Sequence, residues 1–297
     1  MKKNLKKIGL IASGIVFFII LLSFGINWWV NAKLPRLISE ENKTPYHIKY
    51  QELEIGLLAK TIQAKKITII PKERQKDSLK KNGLFAQVDR ILITDFSLFS
   101  ILFSDKIKAR SITVYQPKVT LFKDKDETLH STKNINSQVV EPFDKLIKVN
   151  DVFLQKANFS IINIKNNKQL FNAANVNVQL EGITISQATL KQKIPFNYQK
   201  YSIICDSLSY LTADFYRINA NKIRATHQEL EINQFSMISE FNRSQFVQRL
   251  QKEKDLYTLK AQKIAVKNMD WGFKNEVLFF KTPPNNNHAS RCEYLSK

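Results

Sequence analysis

Apolar residues alternate with polar ones along most of this chain, and that spacing constrains the fold more than any other feature. A side chain at every second position lines one face of a strand, whereas a helix needs spacings of three and four. Strand runs are predicted at 46–57, 61–70, 87–98, 107–122, 147–154, 157–165, 170–185, 200–210, 214–226, 228–237, 257–267 and 270–280. Ile, Val, Phe, Tyr and Thr fill them, which suits a pleated, half-buried surface. Two connecting helices are predicted. One is Pro142–Leu146, and the other is 245–254, with Ser244 as N-cap and Phe246, Val247 and Leu250 on one face. No strand is predicted after Trp271–Phe280 to complete a hairpin.

A short pattern, Ala-x-x-[Ile/Val]-x-[Ile/Val/Ala], recurs in these runs. It occurs at Ala64 (AKKITI), Ala109 (ARSITV), Ala173 (AANVNV), Ala220 (ANKIRA) and Ala261 (AQKIAV). About one match is expected by chance, so five indicate an internal repeat. Each copy reads as the return strand of a hairpin whose outgoing strand lies just upstream. Ala59 fits the pattern too, but overlaps the first copy.

The alternation also changes phase within runs. Ile48-x-Tyr50-x-x-Leu53-x-Ile55, Val178-x-Leu180-x-x-Ile183-x-Ile185 and Leu230-x-Ile232-x-x-Phe235-x-Met237 share one form, with looser versions at Ile91–Leu98 and Ile147–Leu154. In a regular strand an odd gap moves the apolar set to the opposite face. The sheet must therefore bend, bulge or change its covered side there. A compact sandwich, whose strands each keep one inward face, is disfavoured.

The first 45 residues differ in kind. Ile8–Val30 contains no charge, and Asn27 is its only strongly polar residue. About 20 apolar residues suffice for a helix to cross a bilayer. The run also exceeds the usual signal-peptide core of about 7–15 residues, so it reads as an uncleaved anchor. Lys2, Lys3, Lys6 and Lys7 precede it and Trp28-Trp29 close it, an arrangement that keeps the N-terminus cytoplasmic. Three segments follow: a basic cytoplasmic tail (1–7), a transmembrane helix (8–30) and an extracytoplasmic body (31–297).

The net charge is +20, and the body keeps +16 once the four leading lysines are set aside. Such a surface suits anionic partners or is simply solvated. Nucleic acid is not an expected partner. The densest basic cluster, Lys72–Lys81, has no interleaved aromatic, and the topology places it outside the cytoplasm.

Catalytic patterns are missing. His47, His130, His227 and His288 are scattered, and the sequence has no HExxH, GxSxG, P-loop or GxGxxG. Asp124, Asp126 and Glu127 lack the glycine and final glutamate of a calcium loop. Cys205 reads as a small core residue, and two cysteines make no disulfide framework. No enzyme activity, cofactor or metal is expected. The remaining resource is apolar strand surface, which must be covered by its own chain, a partner protein or lipid acyl groups.

The segment FDKLIKVNDVFLQKANFSIINIKNNKQLFNAANVNVQLEGITIS (143–186) resembles the AsmA-like family, in which a short helix precedes a paired strand built on this alternation. KARSITVYQPKVTLF (108–122) is similar to the family's return strand, with Gln116-Pro117 at its turn. The resemblance covers nearly the whole chain, which reads as a short or truncated member. It implies a mainly β fold: a transmembrane helix followed by an elongated, curved antiparallel sheet shaped like a taco-like groove. The implied role is phospholipid transport or outer-membrane homeostasis from the bacterial inner membrane, with the bulk of the chain in the periplasm. Implied groove-lining residues are Ile67, Ile69, Ile112, Val114, Val176, Val178, Ile264 and Val266. The implied partners are phospholipid or another acyl lipid, the inner membrane and envelope proteins. Two other readings are a bitopic scaffold that binds envelope proteins through strand edges, and a lipopolysaccharide-export adaptor with a β-jellyroll.

Overall fold

The computed structural model describes residues 46–56, 58–72, 83–97, 107–123, 147–184, 189, 196–212, 215–249, 255–268, 270–274 and 277–281, with Trp28 and Ala32. The expected transmembrane helix therefore lies outside the described residues, apart from helical Trp28. Among the described residues no helix is long and apolar enough to cross a membrane. The predicted helix Pro142–Leu146 also lies outside them.

The body is mainly β. The strands are β1 (Tyr46–Lys49), β2 (Glu52–Gly56), β3 (Thr61–Pro71), β4 (Gly83–Thr94), β5 (Ile107–Tyr115), β6 (Lys118–Lys123) and β7 (Ile147–Asn163). They continue as β8 (Gln169–Glu181), β9 (Lys200–Leu211), β10 (Tyr216–Thr226), β11 (Glu229–Ser239), β12 (Leu259–Lys267), β13 (Asp270–Lys274) and β14 (Val277–Lys281). Twelve form one sheet in the order β1-β3-β4-β5-β7-β8-β9-β10-β11-β12, with β2 beside β3 and β6 between β4 and β7. The pairs β1/β2 and β5/β6 are each one interrupted strand. The sheet thus has ten rows, about 43 Å from first to last at ~4.8 Å per row.

Two expectations are corrected here. The sheet is mixed, not antiparallel, because β7 runs parallel to β5 and β6, pairing Ile112 with Val152 and Val119 with Phe159. Alternation specifies which face a residue takes and carries no information on strand direction, so this junction was invisible in the sequence. The second correction concerns 270–280, which is not a lone strand. It folds on itself as the β13–β14 hairpin, pairing Trp271 with Phe280.

One helix, α1 (Arg243–Arg249), joins β11 to β12. Its cap is Asn242 and not Ser244. Asn242 Oδ1 accepts the Gln245 amide at 3.0 Å, while Ser244 Oγ turns back to Asn242. Phe246 anchors it, 1% exposed and edge-on to Tyr216. The Tyr216 hydroxyl donates to Asp255 O and accepts from the Tyr257 amide, tying the segment after the helix to β10.

Gly182 closes β8 at φ +65°, with an added Cβ only 2.5 Å from Gln199, so no other residue fits without movement.

Candidate functional site

The breaks in phase fall on one level of the sheet. The skipped pairs run from Tyr50 to Leu53, Ala64 to Ile67, Val88 to Ile91, Val114 to Pro117 and Leu154 to Ala157. Further across, they run from Ala173 to Val176, Cys205 to Leu208, Ala220 to Ile223, Ile232 to Phe235 and Ala261 to Ile264. Neighbouring rows meet at this level: Ala64 faces Ile91, Ile91 faces Val114, and Val114 faces Leu154. Leu154 faces Val178, Ala173 faces Leu208, Ile223 faces Cys205, and Ile232 faces Ile264. A single line of breaks therefore crosses every row.

The apolar set does not change face across this line, contrary to what an odd gap in a regular strand implies. Ile67, Ile69, Ala86 and Val88 form one cluster with Ala64, Ile91, Val114 and Val119, which lie on both sides of the breaks. Ala157, Ala173, Val176 and Cys205 form a second with Leu154, Val178, Ile203 and Leu208. The backbone supplies the rotation. Lys66, Gln116, Lys156, Asn175, Lys222 and Gln234 have φ between 46° and 53°, and each directly precedes the second apolar residue of its gap. A left-handed residue there restores the following side chain to the original face, as a bulge does. Such a conformation costs a non-glycine residue roughly 1–2 kcal/mol, less for asparagine. Polar neighbours satisfy the groups it frees. Asn177 Oδ1 accepts the Lys156 amide at 3.0 Å, Asn158 Oδ1 accepts the Asn175 amide at 3.3 Å, and Asn233 Nδ2 donates to Lys222 O at 3.3 Å.

A second line lies nearer one end of the strands. Its breaks run from Ala59 to Ile62, Ile93 to Phe96, Ala109 to Ile112, Val149 to Val152, Leu180 to Ile183 and Tyr198 to Tyr201. The register joins Ile62, Ile93, Ile112, Val152, Leu180 and Tyr201 into one row. Lys60, Asp95 and Gly182 supply positive φ on this line. The five repeat copies thus divide: Ala64, Ala173, Ala220 and Ala261 mark the first line, and Ala109 the second. The overlapping Ala59 copy is also a true break. Between the lines, β3, β4, β5 and β7 each present two apolar residues, a strip ~7 Å wide from Cα to Cα, and β8 and β9 present three.

All eight predicted lining residues occupy this apolar face. Ile112, Val114, Val176 and Val178 lie between the two lines, while Ile67 and Ile69 lie beyond the first. Ile264 and Val266 pair with Ile232 and Leu230 near the β12 edge. Sequence reasoning missed the contributions of β4, β7 and β9, among them Ile91, Leu154 and Ile203. Their gaps lack the alanine that marked the other copies, although the three-residue skip is present in each.

The opposite face carries the ion pairs, together with Leu92, Phe153 and the edge-on pair Phe85–Phe122. Lys65 Nζ reaches Glu52 and Glu54 at 2.8 and 3.0 Å, and Lys263 reaches Glu231 at 3.1 Å. These hydrogen bonds hold the Glu54 and Glu231 carboxyls below the ordinary range. Near the far strand ends, Glu240 accepts from Arg217 Nε at 2.8 Å and also pairs with Lys168. Burial pushes the Glu240 carboxyl up, but the two cations outweigh it and leave it lowered.

Cys205 is the one thiol on the described apolar face, 4% exposed. Burial pushes it up, against weaker hydrogen bonds to Ser207 O and Ala174 O, so it is an inert packing group. No cluster of three His, Cys, Asp or Glu side chains suited to a metal occurs among the described residues. The chemistry on offer is an apolar face packed as two clusters over β1 to β10, backed by a face that carries ion pairs. No protein-family model matches the chain, and no curated protein sequence matches it.

Proposed function

We propose that this chain is an AsmA-like groove protein, anchored in the inner membrane, that shields lipid acyl chains in the periplasm during phospholipid transport or outer-membrane maintenance. The observation that carries the reading is the alignment of phase breaks. Ten rows reverse phase near one level, and from β1 to β10 their apolar residues pack on one face. Where both lines are present, from β3 to β9, a sheet bent along them forms a trough whose axis runs across the strands, with a floor two to three apolar side chains wide. An acyl chain lying along that axis meets only hydrocarbon, while the face that carries the ion pairs remains in water. The two lines run together over six rows, from β3 to β9, about 24 Å at ~4.8 Å per row.

Native mass spectrometry of the full-length protein tests this reading. Phospholipid adducts are expected on the wild type, and Val114→Glu is expected to remove those not held by the membrane helix. An unchanged adduct count in Val114→Glu would refute a lipid-binding face. The scaffold reading draws on one observation: among the described residues the outer edge of β12 has no strand beside it. The jellyroll adaptor has less support, because a jellyroll divides its strands between two sheets and twelve strands here share one.

A further inference from the structure

The corner formed by β11, α1 and β12 collects exposed apolar side chains beside the apolar face. Tyr216 alternates with Ile218 and Ala220 along β10 and so shares their face. Phe246 packs edge-on to the Tyr216 ring, which places α1 over that face. The Tyr216 hydroxyl ties Asp255 and Tyr257 to the same place. Even so, Val247, Tyr257 and Leu259 are 60%, 53% and 43% exposed, and Leu256 is 38% exposed. Half of the exposed large apolar residues among the described residues thus gather at this one corner.

The corner ends an apolar row that runs back into the sheet. Ile161 pairs with Phe171, Phe171 with Tyr210 and Tyr210 with Ile218. Ile218 then pairs with Met237, and Met237 with Leu259. Six strands thus set one apolar side chain each in a line ~24 Å long, at ~4.8 Å per row. Leu259 is exposed and the other five are half-buried. Phe171 packs against the cluster around Ala157 and Cys205, so the row is continuous with the apolar face of the trough.

A long, half-buried apolar row suits an occupant that is itself long and thin and carries no hydrogen-bonding groups, as an alkyl chain is. The corner adds what the other end of a phospholipid requires. Tyr257 presents an apolar ring whose hydroxyl donates to Asp255 at 2.9 Å, a polar tip at the end of an apolar row. Arg243 is exposed and stands four residues before Val247, on the same side of α1. A guanidinium suited to phosphate oxygens therefore borders the exposed apolar side chains.

We propose that this corner is the mouth of the trough, where a phospholipid acyl chain passes onto or off the row ending at Leu259 while Arg243 meets the phosphate. This rests on the lipid reading of the trough and adds where lipid enters it. The mouth lies at the end of the sheet furthest from β1.

The test anchors the full-length protein in nanodiscs and mixes it with vesicles carrying a self-quenched fluorescent phosphatidylcholine. Uptake above the level of Val114→Glu is followed as dequenching, in both rate and final amount. Leu259→Lys and Tyr257→Lys, at exposed positions that tolerate charge, are each expected to slow uptake roughly tenfold and to leave the final amount unchanged. Ile204→Lys, 40% exposed on the opposite face, should alter neither. Arg243→Gln should slow phosphatidylcholine severalfold and leave a fluorescent diacylglycerol, which lacks phosphate, unaffected. Wild-type uptake no greater than that of Val114→Glu would sink the trough reading and the mouth with it. Robust wild-type uptake with an unchanged rate in both lysine variants would overturn the mouth alone. So would equal slowing by Ile204→Lys, or a lysine variant that loses final uptake instead of rate. Equal slowing of both lipids by Arg243→Gln would overturn the phosphate contact.

Discussion

The copies AKKITI in β3 and AQKIAV in β12 share one pattern but differ in their surroundings. In β3, Ile62 and Ile67 are 2% and 3% exposed, whereas Leu259 in β12 is 43% exposed and Ile264 and Val266 are half-buried. Lys66 adopts positive φ in the first copy, and Lys263 does not in the second. The pattern therefore sets which face is apolar and where the strand turns, and the number of neighbouring rows sets how deeply that face is buried. β3 has a row on each side, and among the described residues β12 has one on one side only. The apolar face is accordingly more deeply buried over β3–β9 than at β12.

Charge should separate the two regions most strongly. Val176→Asp places an unpaired carboxylate where the native side chain is 6% exposed, and is expected to cost more than ~4 kcal/mol and to unfold the body. Ile264→Asp should cost less than half as much, since water reaches the edge. Urea midpoints of the two variants check this, and equal losses would erase the distinction between deeply and partly buried regions.

Volume comes next. Ala157 is 0% exposed, so Ala157→Leu should cost about 1–3 kcal/mol through overpacking, while Ala261→Leu in β12 is expected to cost less than ~1 kcal/mol. Thermal melts of both variants provide the measurement.

The Glu240 pair tests how the far strand ends are held together. Its lowered carboxyl gives stability that is fully present above the ordinary value of 4.5 and is lost as pH falls through the folded-state value. Glu240→Gln should cost about 1–3 kcal/mol near neutral pH and flatten the decline below pH 4.5. Denaturation followed across that acid range distinguishes this from a simple packing loss, which would leave the slope intact.

The smallest effect has opposite signs in the two regions. Lys222→Gly should stabilise by roughly 0.5–1 kcal/mol, because glycine relieves the strained φ of 46°. Lys263→Gly, at an edge position without positive φ, should destabilise by a similar amount. Matched denaturant curves decide the sign.

The strands were legible because alternation reports side-chain direction directly, whereas the common face was not, because the odd gaps read as changes of face. Most predicted runs fall on observed strands, but 46–57, 107–122 and 270–280 each divide into two, 87–98 lies four residues late on β4, and β7 merges two runs across Lys156. The meaning of the phase breaks was not legible. A gap such as Ala64-x-x-Ile67 looks like a change of face unless Lys66 is known to be left-handed, and lysine gives no local signal of that. Asn175 gives a weak one, since asparagine tolerates this conformation. Strand direction at β5–β7 was hidden for a different reason, because it depends on the connection and not on the pattern within either strand. The helix cap was misplaced by two residues because Asn242 and Ser244 are both good caps, and only Asn242 Oδ1 reaches the Gln245 amide.

The central claim is that the face shared by the ten rows meets lipid. Val178 and Gln179 are neighbours in β8 on opposite faces, which makes them a direct pair for photocrosslinking in intact cells. A photoreactive residue at 178 is expected to yield phospholipid adducts, and one at 179 none. Lipid adducts at both positions, or protein adducts alone at 178, would contradict the account.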